Sequence, residues 1–366
     1  MKRESVKKAS LILVAVLTTI ASSESVSQTP PSSDPNSEWT GTAEQKIWGL
    51  MTVWAEAKYA FPFFDQNPEL NWDSTVQAYI PRVIAAADQI SYYKLLMELA
   101  ARLHDGHTAV LPPWGLFEPG TDCPPIEVQV VENKFVIARV GESDELAAQK
   151  ITPGLEILEI GDGVPIAEYH RDSVLRYNSR GTKQADESIN LWSLLYGTAD
   201  SKVRLKIKDR SGAERTVLLT RNSTCRSGER FQCRLFQWYM AGDVLETRAL
   251  PDGAVYVCIK NFGNDDLGAR FRQMLDTLNL AQVCGMIVDL RHNPGGDSQI
   301  ADSVSACLTD KPLPTSVWHL PHYIAADRAW GNPPEWTERQ DTIRPYTGKR
   351  YLGPLVILTG PSTYSA

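Results

Sequence analysis

The chain has 366 residues, 43% of them hydrophobic and 22% charged, with a formal charge of -7. That is ordinary globular composition, long enough for two or three domains and at least one sizeable core. An acidic balance with no Lys/Arg cluster argues against nucleic acid as a partner, because phosphate binding needs basic patches.

The first 27 residues stand apart. Lys2, Arg3, Lys7 and Lys8 precede the apolar run Leu11 to Ala21, and small residues follow at Ala21-Ser22-Ser23 and Ser25-Val26-Ser27. This is the order of a secretory signal peptide, with an apolar run short of the ~20 residues that span a bilayer. The expected protein is exported, periplasmic or secreted, without a stable membrane anchor. No cysteine follows the apolar run to carry a bacterial lipid. Cleavage removes four basic residues with Glu4 and Glu24, which moves the formal charge from -7 to -9. All six cysteines lie beyond this segment, where disulfides are permitted. Cys225 and Cys233 flank a short polar loop and form the favoured pair. Cys258 and Cys284 sit in apolar runs, where a free thiol fits equally well. No Cys/His spacing suggests zinc.

Residues 28–42, rich in Ser, Pro and Thr, read as a disordered linker. Residues 43–110 read as a helical unit. Ile47, Leu50, Met51 and Trp54 recur at helical spacing, as do Tyr93, Leu95, Leu96, Leu99 and Leu103. Loops are expected at Phe61 to Asp65 and at Asn71-Trp72-Asp73. Residues 123–222 read as a β-rich module. Ile126 to Val130 alternates with period two, Phe135 to Val140 is a second strand, and the Pro153-Gly154 turn leads into an amphipathic strand. That strand ends at the hairpin signal Gly161-Asp162-Gly163. Strands at Val203 to Ile207 and Thr216 to Thr220 complete the module.

From about residue 250 the pattern becomes strand–helix–strand–helix–strand. The strands are Ala254 to Ile259, Gly285 to Leu290 and Leu355 to Leu358. The helices are Asp265 to Leu280 and Asp297 to Leu308. Continuous apolar strands predict a sheet covered on both faces. Residues 311–350, rich in Pro and Trp, have no clear period and read as an insertion.

Three stretches carry chemistry. Asp289-Leu290-Arg291-His292-Asn293-Pro294-Gly295-Gly296-Asp297 joins a strand to a helix, and its glycines turn the chain sharply and leave amide N–H groups uncovered, as an oxyanion requires. Ser365 follows another strand of the same expected sheet, at the carboxyl edge where ligands bind, with the Ala366 amide as a second donor. Ser362 and Thr363 are equally available hydroxyls by composition. A serine needs a base. The densest histidine site is Leu103-His104-Asp105-Gly106-His107-Thr108, with His107 on an exposed turn after a glycine. His104 reads as a helix cap as readily as a ligand, and His104, Asp105 and His107 lack an evident fourth metal ligand. His292 is a spare candidate, and His319 and His322 look incidental.

Taken in order, these pieces resemble the tail-specific (C-terminal processing) and tricorn-core serine peptidases. They are a helical unit, Leu-His-Asp-Gly-His-Thr, a module with Pro-Gly-x-x-Ile-Leu-x-Ile-x-x-Gly-x-Pro, then Asp-Leu-Arg-x-Asn-Pro-Gly-Gly, then Ser-Ala after a strand. The resemblance runs from about residue 43 to the end. It implies an α/β multidomain protein with a PDZ-like β module at 123–222 and a crotonase-related ββα catalytic domain at 250–366. It implies Ser365 as nucleophile and an oxyanion hole from Gly295 or Gly296 and Ala366. It implies His107 as base in the tricorn-like branch, or a lysine beyond residue 366 in the other. No cofactor or metal is implied. A polypeptide substrate is, held by its C-terminus in the PDZ-like module. The tricorn-type glutamate and the helix after the serine would lie past residue 366. The expectation is therefore a truncated, inactive or weakly active fragment. Two other classes stay open: a non-catalytic peptide or apolar-ligand binder using Trp318, Trp330 and Trp336, and a metal hydrolase at His104/His107.

Overall fold

A computed structural model describes residues 41–113, 116–117, 122–188, 191, 193–224, 243–322, 324–332, 335–360 and 362–365. The signal segment, most of the linker, Cys225, Cys233 and Ala366 lie outside the described residues. The chain divides into two compact units, Met1–Asp186 with Asn190–Phe231, and Glu187–Ile189 with Gln232–Ala366.

The first unit opens with three helices: α1 (Ala43–Ala60), α2 (Trp72–Ile84) and α3 (Gln89–Ala101). Each start is set by a side-chain cap. Thr42 and Gln45 form a capping box, Asn71 accepts from Ser74 N–H, and Asp88 accepts from Ser91 N–H. Asn71-Trp72-Asp73, expected as loop, is thus the start of α2. Pro62 ends α1, because the residue before a proline avoids helical dihedrals. Leu50, Val76, Tyr79, Val83 and Leu99 form the core of this layer.

The same unit continues through β1 (Asp122–Cys123), β2 (Ile126–Val131), β3 (Lys134–Val140), α4 (Asp144–Ala148), β4 (Glu156–Ile160), β5 (Val164–Pro165), α5 (Ile166–Ser173), α6 (Lys183–Ser188), β6 (Lys202–Lys208), β7 (Glu214–Thr220) and β8 (Ser223–Thr224). The antiparallel order is β2-β3-β4-β6-β7, with β5 paired to β4. Val203, Leu205 and Ile207 alternate inward on β6 against Val217 and Leu219 on β7. Gly154 adopts φ +94° and donates its N–H to Ile137 O, which fixes the turn before β4.

The second unit holds β9 (Leu245–Ala249), β10 (Ala254–Ile259), α7 (Leu267–Thr277), β11 (Gly285–Asp289), α8 (Ser298–Ser305), β12 (Leu313–His322), α9 (Ala325–Ala329), β13 (Glu335–Ile343) and β14 (Leu355–Leu358). Its main sheet runs β14-β11-β10-β9, with β10, β11 and β14 parallel. Both crossovers step the same way across the sheet, so right-handed connections put α7 and α8 on one face. Val255, Val257, Met286 and Val288 meet Phe271, Leu275, Ile300 and Val304 there.

The sheet was expected to be covered on both faces. Residues of α7 and α8 pack with Val255, Val257, Met286 and Val288 on one face, while Val356 and Ile357 of edge strand β14, which point to opposite faces, are each 53% exposed. An apolar run does not reveal which of its two faces is covered. Residues 311–350 form an antiparallel ribbon, β12–β13, with α9 between its strands and a bulge between Pro314 and Val317. Both faces of the ribbon are largely exposed, so no period-two pattern marked it.

Candidate active site

The site in the second unit is built on the carboxyl ends of two neighbouring parallel strands. Asp289, the last residue of β11, pairs in register with Leu358, the last of β14. Each strand then runs into a loop, and the two loops are tied together. Leu290 N–H donates to Leu358 O at 2.8 Å, and Tyr364 N–H donates to Asn293 O at 3.0 Å. The Thr363 hydroxyl donates to Leu290 O at 2.6 Å and accepts from Gly360 N–H at 2.9 Å. Thr363 is therefore a structural clip, which separates it from Ser365 among the hydroxyls of this turn. A Cβ on Gly360 would sit 2.8 Å from Arg291 O, so the close approach of the loops requires glycine there. Ser365 lies at φ +64°, a left-handed conformation that few non-glycine residues adopt.

The Asn-Pro-Gly-Gly bend has internal order that the sequence did not disclose. Asn293, 2% exposed, donates from Nδ2 to Ile259 O at 3.1 Å and accepts Gly295 N–H on Oδ1 at 2.8 Å. Its side chain thereby welds the end of β10 to the bend. The Gly295 N–H is consumed in this way, and its carbonyl accepts Phe262 N–H. Gly296 is different. It is exposed, it bridges Phe262 in parallel fashion, and the bonds that fix the bend do not use its N–H. A Cβ on Gly296 would lie 2.3 Å from the Phe262 carbonyl carbon, and its φ is +147°. Asp297 caps α8 through Gln299 N–H.

Asp289 and Arg291, part of the same motif, lock the strand exit. The buried Asp289 carboxylate accepts the Tyr256 hydroxyl at 2.6 Å and the Arg291 guanidinium at 2.7 Å. Burial raises its pKa, but these donors outweigh it and hold the group at about 2. Burial and the neighbouring carboxylate push the Tyr256 phenol up. Arg248 lies over the Tyr256 ring, 5.0 Å from its centroid. These groups fix geometry and are spent in doing so.

His107 belongs to the first unit, on the turn after α3. The turn is held by a strap of the β module. Ser179 Oγ meets His104 Nδ1 at 2.9 Å, Arg180 reaches Gly106 O at 3.5 Å, and Gly181 packs so close that a Cβ would lie 2.3 Å from His104 O. Inside the turn the Thr108 hydroxyl donates to Asp105 Oδ2 at 2.5 Å. Upstream, Glu98 accepts from Tyr79, Arg82 and Arg176, the last being the start of the strap. His104 sits at φ +52°, two residues past the last cap of α3. Among the described residues no group of three His, Cys, Asp or Glu converges to hold a metal. Cys258 is buried and Cys284 exposed, both as free thiols. His319 stacks on Trp336 across the β12–β13 ribbon, with ring centroids 4.5 Å apart.

Asn293, Thr363 and the strap from Arg176 to Gly181 escaped sequence reasoning. Asn293 was legible as a motif member, but its bonds to β10 were not. Arg176 lies 78 positions from Glu98 and carries no local signal.

Comparison with known proteins completes the picture. Residues 253–366 match the model of peptidase family S41. The structure of mature CPAF is 13% identical, covering 88% of this chain and 80% of that one with a TM-score of 0.61. Mature CPAF complexed with lactacystin is 14% identical, covering 87% and 79%, with a TM-score of 0.62. The photosystem II D1 C-terminal processing protease is 18% identical, covering 87% and 76%, with a TM-score of 0.41. At such identities the likeness to CPAF is one of fold. A comparison with curated proteins gives no match. The chain carries a peptidase family S41 domain over residues 253–366, and through that domain it is a serine-type peptidase.

Proposed function

We propose that this chain is an exported endopeptidase of the tail-specific type, cutting unstructured polypeptides through an acyl-enzyme on Ser365. His107 takes the Ser365 proton as Oγ attacks the scissile carbonyl carbon. The same imidazole returns that proton to the leaving amine, and water then hydrolyses the ester. The Gly296 and Ala366 amides receive the oxyanion. Between the two glycines, Gly296 is the better donor, because the Gly295 N–H already bonds Asn293 Oδ1 at 2.8 Å. The observation that carries this reading is the tie between the Ser365 turn and the glycine bend, made by Tyr364 N–H on Asn293 O and Thr363 on Leu290 O. The antiparallel module at 123–222 supports a PDZ-like role, in which a substrate terminus adds as a strand to a sheet edge. Export rests on the leader at residues 1–27. None of these steps calls for a cofactor.

A fluorophosphonate probe tests the assignment. Labelling is expected at Ser365, absent in Ser365→Ala, and slowed about 100- to 10,000-fold in His107→Ala. Labelling elsewhere, or a rate that His107→Ala leaves unchanged, overturns it. One observation favours a second reading, a non-catalytic apolar binder: Trp330 is 77% exposed beside the ribbon that carries Trp318 and Trp336. A chain that binds peptides but takes no label would bear that out.

A further inference from the structure

The first unit contains a cavity of about 240 Å³ with His107 in its wall. It lies between α1, the Phe61-Pro62-Phe63 turn, the last turn of α3 and the segment that follows it. Val53, Glu56, Ala57 and Ala60 line it at i, i+3, i+4 and i+7, one face of α1. The space exists because alanines stand at 57, 60, 100 and 109 where larger side chains would fill it. Its floor is apolar and buried, formed by Phe61, Ala100, Leu103 and Val110. Its polar groups are Glu56, Asp105, His107 and Thr108, and two of these satisfy each other through the Thr108 to Asp105 bond.

We infer that this cavity is a specificity pocket for one large apolar side chain, phenylalanine or leucine, of the polypeptide substrate. The inference rests on the peptidase reading, because His107 at the wall marks where substrate backbone must pass if it is the base. Size favours a single side chain. A cavity of about 150 Å³ lined by aliphatic groups already holds benzene, so this one holds a phenyl or isobutyl group with the Cβ that carries it. Charge acts in the same direction, since Glu56 and Asp105 repel an acidic side chain and the apolar floor penalises any unpaired polar one. The turn that carries the pocket wall is braced by Ser179, Arg180 and Gly181. Little ordering cost is then left for binding.

The test uses the full chain with Ser365→Ala, so that bound peptide is not cleaved. Fluorescently labelled peptides differing at one position are titrated, Phe or Leu against Ala and Glu. Phe and Leu peptides are expected to bind about 10- to 200-fold tighter than the Ala peptide, the range a filled hydrophobic pocket gives. They are also expected to shift the His107 ring proton resonances, which the Ala peptide leaves in place. Ala60→Phe, which fills the cavity from α1, is expected to reduce the preference to less than about twofold. If Ala60→Phe fails to fold, Ala109→Leu at the exposed rim does the same work. A preference that survives filling, or no preference at all, overturns the pocket. Labelling of wild-type Ser365 by the fluorophosphonate reports on the peptidase reading separately. Label without side-chain preference sinks the pocket alone, and preference without label sinks the peptidase reading, leaving a peptide-binding cavity that is no substrate pocket.

Discussion

Gly296 shows how much a single residue can be constrained. Its φ of +147° is open to glycine and strained for every L side chain. The Cβ of an alanine would press on the Phe262 backbone at 2.3 Å, where nothing flexible can give way. Gly296→Ala is therefore expected to lower unfolding free energy by about 1–3 kcal/mol, the usual cost of a strained backbone residue. It should also displace the proposed oxyanion donor and reduce fluorophosphonate labelling about 100-fold or more. Thermal unfolding and labelling rate, measured together, check both parts. A variant that loses stability but labels at the wild-type rate removes Gly296 from the oxyanion hole. Asn293 is the complement of Gly296. Its side chain uses a donor on Ile259 O and its oxygen on Gly295 N–H, so it sets the bend.

At the scale of elements, α3 delivers His107 and the strap from Arg176 to Gly181 holds the delivery point. The joint between them is Glu98, which is 7% exposed. Burial raises its pKa, but hydrogen bonds from Tyr79, Arg82 and Arg176 outweigh this and hold it below its ordinary 4.5. The sign of the pH effect follows. A carboxylate with a lowered native pKa binds fewer protons folded than unfolded, so stability rises with pH across that interval. The contribution is complete above about pH 4.5 and is lost as pH falls through the native value. Glu98→Gln is expected to cost about 1.5–3 kcal/mol at neutral pH, the range for hydrogen bonds to a charged group. It should also flatten the acid limb of stability below pH 4.5. Urea unfolding across pH 3 to 7 measures both. Because this brace supports the turn that carries His107, the proposed base, Glu98→Gln should lower the labelling rate of Ser365 as well as stability. The cost stays moderate because Arg82 and Arg176 are 36% and 46% exposed and can return to water.

At the scale of the molecule, the described residues form three buried clusters, two in the first unit and one in the second. Amide hydrogen exchange should be slowest in β6, β7 and β10, where Leu205, Ile207, Leu219 and Val257 are fully buried. It should be fastest among ordered strands in the β12–β13 ribbon, where Val317, Trp318 and Leu320 are exposed. Comparable protection in that ribbon would mean that a partner or a neighbouring segment covers it.

The elements were legible where one physical rule acted alone. Helices α1 and α3 of the first unit announced themselves by spacing, and β10, β11 and β14 by apolar runs, whereas the Asn71 cap that starts α2 read as loop. Legibility failed where the deciding neighbour was distant. The β12–β13 ribbon has no buried face to impose alternation. Which face of the main sheet receives α7 and α8 depends on the handedness of two crossovers.

What the residues alone determined is the chemical vocabulary: a glycine bend after a buried strand, a serine after its neighbour, and a histidine on an exposed turn. Spacing and backbone propensity suffice for that, because they act within a few residues. Tertiary structure alone decided that Gly295 is spent and Gly296 is not, that Thr363 is a clip, and that a ring of alanines encloses a cavity beside His107. Hydrogen-bond saturation and packing voids are sums over residues far apart in the chain, and only folding brings those terms together.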